Sequence, residues 1–250
     1  MPVAIITGAA QGIGRRTAEL LAANGFSLAL LDLKPCPTPA NAEVVQFTGD
    51  LTDDSFVAES IAAIHQRFGR IDTLVNNAGI SFIAPAEQVS AADFRRVLEV
   101  NLVAPFLLAR AVGEVMLQQR QGSIINIASI AGLTGIADRS AYNASKHGLI
   151  GLTRTLAAEW GARGVRVNAV CPGWVKTEMD HVDQAASAYT DADITDRVPM
   201  ARFATPDDIA NAVHFLADPT RSAFINGHTL AVDGGWTADG SWQSLRLAHR

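Results

Sequence analysis

Cysteine is scarce. Cys36 and Cys171 are the only two in 250 residues, lie far apart and form no CxxC. That spacing excludes a disulfide framework and a thiolate zinc site, and it makes a reducing cytoplasm the expected compartment. Cys171 stands inside the apolar run 165–172, where a thiol is expected to act as a buried small hydrophobe rather than a nucleophile. The six histidines are scattered without ligand spacing, so no metal is expected. Long runs of one charge are also missing. The net charge is −5 with no basic block, which argues against nucleic acid and anionic membrane surfaces as partners. No apolar stretch is expected to reach the length of a membrane span, and residues 1–7 are too short for the core of a signal peptide. No linker, repeat or low-complexity segment interrupts the chain, and the Pro-rich patch 35–39 is short enough for a surface loop.

What remains is an apolar fraction of 48% against 18% charged residues, the balance of a globular protein able to bury a large core as one domain, 1–250. Short Val-, Ile- and Leu-rich runs at 3–7, 27–32, 43–48, 71–76, 123–128, 165–170 and 227–232 show little polar alternation. They predict strands covered on both faces. Amphipathic stretches at 13–24, 52–68, 91–119, 140–160 and 206–217 lie between them and predict helices, the 91–119 stretch being two helices or one bent one. The fold class is therefore α/β, a doubly wound parallel sheet with helices on both faces. The polar segment 178–202 reads as a substrate lid, and 236–250 as a C-terminal extension.

The first strand runs into Thr7-Gly8-Ala9-Ala10-Gln11-Gly12-Ile13-Gly14. Glycines between a strand and a helix let a pyrophosphate approach the backbone at a helix N-terminus. Asp32 ends the second strand eighteen positions after Gly14, where a carboxylate accepts hydrogen bonds from both ribose hydroxyls and repels a 2′-phosphate. Leu33 and Gln11 add no positive charge, so NAD is the expected cofactor. In the alternative, Asp32 only solvates a strand end and Lys34 or Arg15 receives a phosphate. Asp50, with Leu51 beside it, reads either as an acceptor for the adenine amino group or as the N-cap of the next helix.

Tyr142 and Lys146 are four apart and share a helix face. A free phenol has a pKa of about 10, a poor base at neutral pH, and the nearby ammonium together with the positive nicotinamide ring of NAD is expected to favour its phenolate. Ser129 follows the strand at 123–128 and so lies at the carboxyl edge of the sheet, where such folds bind ligands; it reads as a substrate-oxygen ligand or as an ordinary cap. Asn76-Asn77-Ala78-Gly79 ends another strand at the same edge, with small residues that admit a cofactor. Asn101 is unfavourable inside a long helix and marks either a local back-bond or an irregularity holding a water that links Lys146 to solvent.

Together these motifs resemble the short-chain dehydrogenase/reductase family over almost the whole chain. Pro172, Gly173, Thr177 and Val232-Asp233-Gly234-Gly235 complete the match. The resemblance implies a Rossmann-like sheet of seven parallel strands and a catalytic set of Asn101, Ser129, Tyr142 and Lys146. It implies that Lys146 also holds the nicotinamide ribose, and that the backbone from Pro172 through Val175 and the Thr177 hydroxyl hold the nicotinamide end. It implies a homotetramer, with the 140–160 helix and the last strand at interfaces.

The expected reaction is hydride transfer between NAD and a secondary alcohol or ketone, with Ser129 and Tyr142 on the substrate oxygen and Tyr142 exchanging the proton. Candidate substrate contacts are Ile80, Ser81, Phe82, Ile130, Ala131, Gly132, Arg139, Trp174, Met179 and His181. Arg139 and a tail carrying Trp242, Leu245, Arg246, Leu247, His249 and Arg250 suggest a small acidic substrate such as a sugar acid or keto-deoxy sugar acid, the tail docking on a neighbouring subunit. The other readings are Arg139 paired with an acid, a 3-oxoacyl-type reductase of apolar ketones, and a non-catalytic NAD-sensing module.

Overall fold

A computed structural model describes residues 1–178, 180, 183, 184 and 189–242. The expected contacts at Met179 and His181, and the tail positions Leu245, Arg246, Leu247, His249 and Arg250, lie outside these residues.

The described chain runs β1 (Val3–Thr7), α1 (Gly12–Ala23), β2 (Ser27–Asp32), β3 (Val44–Thr48), α2 (Asp54–Phe68), β4 (Thr73–Asn76), α3 (Ala91–Leu98), a π-turn (Glu99–Val103), α4 (Ala104–Gln119), β5 (Gly122–Ile127), α5 (Ser140–Trp160), β6 (Val165–Pro172), α6 (Asp191–Thr195), α7 (Pro206–Ala217) and β7 (Thr229–Val232). Short 3-10 turns at Ala86–Gln88, Ile130–Gly132 and Gly161–Arg163 complete it. The seven strands pair in parallel in the order β3-β2-β1-β4-β5-β6-β7. Strand order reverses at β1, so a crevice opens between the carboxyl ends of β1 and β4, the usual ligand position in such sheets.

Successive strand residues point to opposite faces, and both faces are covered. Ile5, Leu31, Leu74 and Ile124 pack with Leu108, Val112 and Met116 of α4 and Ile61 and Ile64 of α2. Their neighbours Ile6, Leu30, Val75 and Ile125 pack with Leu21 of α1 and Ile209, Val213 and Leu216 of α7. This explains why these strands read as continuous apolar runs. β3 departs from the expectation: as the edge strand it is only half buried, with Gln46 and Thr48 outward.

Two helix expectations are corrected. The helix predicted from Thr52 begins at Asp54, because the Asp53 side chain caps it by accepting from the Ser55 amide at 2.9 Å. The helical run Ala91–Gln119 is long and apolar enough, with an 18-residue window of mean hydropathy 1.6, to cross a membrane by length and composition. The sequence reading found no such stretch. Its apolar side lies against the sheet in the core, which accounts for that composition. The irregularity expected near Asn101 is the π-turn that joins α3 to α4.

Candidate active site

The Gly-rich turn explains its own composition. Gly8 has φ +64°, and a Cβ there would meet the Ala78 Cα at 2.9 Å. A Cβ on Gly14 would lie 2.1 Å from the Gly8 carbonyl oxygen, so only glycine lets α1 start this close to β1. Gln11 gives α1 no side-chain cap, and its first turn holds no acid. The amides there are left for an anion, and the helix dipole favours one.

At the end of β2, Asp32 Oδ2 accepts from the Ala10 amide and Oδ1 from the Lys34 amide, each at 3.0 Å. Arg15 instead bonds Glu19 at 3.0 Å and does not line this cleft, whereas Lys34 does. Asp50 is not the N-cap of α2. Its Oδ1 accepts from the Thr52 amide and hydroxyl, and Oδ2 faces Arg96 at 3.3 Å. The Thr52 backbone bond, with smaller help from the Thr52 hydroxyl and Arg96, holds its carboxyl below the usual range.

A cleft of about 460 Å³ runs from these groups to the other end of the crevice. Gly8, Gln11, Gly12, Ile13, Asp32, Leu33, Asp50, Leu51, Asn77, Ala78, Gly79, Pro172, Gly173, Val175 and Thr177 line it, and so do Ser129, Tyr142 and Lys146. Gly14 and Asn101 do not; they support it from behind. Asn101 is fully buried, accepts from the Ile80 amide, and donates to the Ile80 carbonyl at 2.9 Å and the Ser145 hydroxyl at 3.1 Å. Its side chain fixes the strand of backbone after Gly79, so a proton relay at this residue would have to use its main-chain carbonyl. Bare amides at an uncapped helix start, a carboxylate at the end of β2 and a cleft of this length fit a dinucleotide.

At the reacting end, Ser129 caps the 3-10 turn, its oxygen accepting from the Ala131 amide at 3.1 Å. The cap reading is thus correct, and the hydroxyl keeps its proton to donate, here to the Tyr142 phenol. Lys146 lies one helical turn on, with Nζ 2.8 Å from the Ile127 carbonyl and 5.5 Å from the centre of the Tyr142 ring. Burial pulls the Lys146 ammonium down to about 8. Burial also pushes the Tyr142 phenol up, against smaller opposing effects of the Ser129 hydroxyl and the Arg139 charge. Burial thus outweighs the nearby positive charges on the phenol, which leaves a part for the positive nicotinamide ring expected beside it.

Arg139 is corrected as well. It is 7% exposed, and Nη1 donates to Asp183 Oδ2 at 2.6 Å and to the Ser81 hydroxyl at 3.0 Å. Its guanidinium lies 5.6 Å from the Trp174 ring centre. It is paired with an acid inside the cleft, not a lone cation awaiting a substrate carboxylate. Ile80, Ile130, Ala131, Arg139 and Trp174 line the cleft, while Ser81, Phe82 and Gly132 do not. Trp174 also packs on Tyr189 at 5.0 Å and Trp236 at 5.9 Å, contacts the sequence did not reveal. Asp183 and Arg96 were missed too. Pairing 139 with 183 requires folding over 44 positions, and no local spacing signals it.

Residues 8–237 match the family described as Enoyl-(Acyl carrier protein) reductase. A D-threitol dehydrogenase of Mycolicibacterium smegmatis is 41% identical over 243 residues, covering 94% of this chain and 92% of that one. The chain belongs to the short-chain dehydrogenase/reductase family. Among solved structures, levodione reductase superposes with a TM-score of 0.91 at 35% identity, over 95% of this chain and 98% of that one. A structure described as an NAD(P)-dependent gluconate 5-dehydrogenase from Beutenbergia cavernae, with bound NADP at low occupancy, gives 0.86 at 39% identity, over 95% and 97%. This short-chain dehydrogenase/reductase has the family's seven-stranded parallel sheet, and such enzymes bind a nicotinamide cofactor and act on alcohols and ketones.

Proposed function

We propose that this enzyme exchanges hydride between NAD and a secondary alcohol or ketone of a small hydroxylated substrate, a sugar alcohol or sugar acid. The observation that carries the reading is the convergence of Ser129, Tyr142 and Lys146 on one cleft with the Gly-rich turn and Asp32. A bound nicotinamide supplies the hydride chemistry. The Ser129 hydroxyl and the Tyr142 phenol hold the substrate oxygen. Tyr142 exchanges the proton with that oxygen, and Lys146 steadies the phenolate while anchored on the Ile127 carbonyl. Lys146 with Gly79 and Thr177 would hold the nicotinamide end. Asn101 keeps the backbone at Ile80 in place under them.

NAD is favoured over NADP because the Asp32 carboxylate lines the cleft at the end of β2, where it would repel a 2′-phosphate, and Arg15 is engaged with Glu19 away from the cleft. The relative named for D-threitol and the structure described for gluconate support a hydroxylated substrate over an apolar ketone. Unpaired, buried Cys36 and Cys171 suit a cytoplasmic setting. Exposed Phe106 on α4 and Phe224 before β7 suit assembly with further copies, a homotetramer. The segment 178–202 serves as the lid of the cleft, a role supported by the Asp183 contact with Arg139.

The test is initial-rate spectroscopy at the NADH band with alditols, aldonates and apolar alcohols, using both coenzymes. NAD-linked oxidation of a hydroxylated substrate is expected. Preference for NADP, or activity confined to apolar alcohols, would contradict the reading.

A further inference from the structure

Ser145 stands inside α5, three positions after Tyr142 and one before Lys146, and both it and Asn101 are 0% exposed. A hydroxyl in a helix interior, out of reach of water, is unfavourable unless its donor and an acceptor lone pair are both used. Here they are. Ser145 Oγ donates its one proton to the Tyr142 carbonyl at 2.7 Å and accepts from Asn101 Nδ2 at 3.1 Å.

Asn101 continues the chain. One Nδ2 hydrogen goes to Ser145 and the other to the Ile80 carbonyl, while Oδ1 accepts from the Ile80 amide. The donors therefore run in one direction, from the π-turn through Ser145 to the main chain of Tyr142. This chain joins two parts of the cleft lining, Gly79 and Ile80 after β4, and Tyr142 and Lys146 on α5. They lie close together: a Cβ on Gly79 would come within 3.2 Å of Asn101 Oδ1 and 3.7 Å of Lys146 Nζ.

A helix serine that only bonded back to its own turn would leave the rest of the site alone. The bond from Asn101 separates the two cases. Without the Ser145 oxygen a buried N–H of Asn101 loses its acceptor, which is costly, and the carboxamide that fixes Ile80 loses one of its holds. Proton and hydride transfer need the phenol and the nicotinamide at one spacing, and a misplacement of about 1 Å can cost on the order of 10²-fold in rate.

We propose that Ser145 is a positioning residue for the chemical step: through Asn101 it locks the Ile80 backbone to the helix that carries Tyr142 and Lys146. This rests on the dehydrogenase reading above and adds to it a residue that touches neither substrate nor cofactor.

The experiment replaces Ser145 by Ala, and by Cys, which keeps the volume but donates and accepts only weakly. The first readout is the first-order rate constant of NADH formation in a single turnover, using whichever alditol, aldonate or apolar alcohol the wild type oxidises fastest. Protein lost to misfolding lowers the amplitude of that turnover and not its rate constant. Ser145→Ala is expected to slow the rate constant at least tenfold and Ser145→Cys at least threefold, with NAD affinity by calorimetry within threefold of the wild type. A smaller slowing, a loss confined to amplitude, or NAD affinity weakened beyond threefold overturns the proposal. The second readout needs no turnover. Hydrogen exchange at the Ile80 amide, followed by mass spectrometry, should quicken at least tenfold in Ser145→Ala while the β5 amides exchange as in the wild type. A smaller increase, or one shared by β5, would mean that Ser145 serves only its own helix or the fold at large, and overturns the proposal. A wild type that oxidises none of the alcohols with either coenzyme would overturn the dehydrogenase reading instead, while the exchange comparison still judges the tie between Ser145 and Ile80.

Discussion

Replacing Lys146 by Met should make the unliganded protein more stable at neutral pH while abolishing its chemistry. Lys146 is 4% exposed, and burial lowers its ammonium from the usual 10.5 to about 8. A folded value below the unfolded one means that keeping this charge destabilises the fold, fully below pH 8 and progressively less as pH rises toward 10.5. The two values differ by enough to represent about 3 kcal/mol at pH 7. Met fills similar space but abandons the bond to the Ile127 carbonyl, worth about 1 kcal/mol. Lys146→Met should therefore gain about 2 kcal/mol at pH 7, or about 4–8 °C in Tm for a chain of this size. The gain should fall by about 2 kcal/mol, to near zero, by pH 9.5. The thiols of Cys36 and Cys171, both pushed up to about 11 by burial, act in the opposite sense as pH rises. Cys36 does so equally in both proteins, whereas the Lys146 charge holds the Cys171 thiol down, so its loss adds to the fall in the variant's gain at high pH. Thermal unfolding of both proteins without coenzyme, across pH 7–9.5, measures it. A variant less stable than the wild type at pH 7, or a difference that does not change with pH, would refute the reasoning. It would mean that the amine is not held charged against its surroundings.

Other expectations concern the cofactor end. Asp32→Ala should lower kcat/KM with NAD by about 10–100-fold, the loss of one or two hydrogen bonds to a charged acceptor, and should raise it with NADP; an unchanged coenzyme ratio in initial-rate assays would remove Asp32 from coenzyme choice. Gly14→Ala places a methyl 2.1 Å from the Gly8 carbonyl, so the turn must open. NAD titration by calorimetry should show binding lost, and affinity within threefold of the wild type would contradict that geometry.

Much of this was legible in the chain because the signals are local or periodic. Strands covered on both faces, such as β1 and β2, announce themselves as unbroken apolar runs, and Tyr142 and Lys146 share a helix face by spacing alone. β3 read as fully buried because its edge position depends on the order of the other strands. The Asp53 cap was hidden because Asp50, three positions earlier, precedes the same helix with the same side chain. The membrane-length run through α3 and α4 is masked in sequence by Asn101 and the charges at its N-terminal end. Arg139 was correctly placed in the cleft, but its charge balance was invisible, since Asp183 reaches it only through the tertiary fold. The burial that pushes the Tyr142 phenol up was invisible for the same reason, since burial of a phenol cannot be read from its neighbours in sequence.

The account stands most directly on the Tyr142 hydroxyl. Tyr142→Phe removes only that oxygen, and its effect is read by pairing NAD binding with single-turnover NADH formation. Affinity for NAD within about threefold, with NADH formation slowed by about 10²-fold or more, is the predicted result. Turnover within tenfold of the wild type would mean that the proton goes elsewhere and that the cleft does its chemistry by another route.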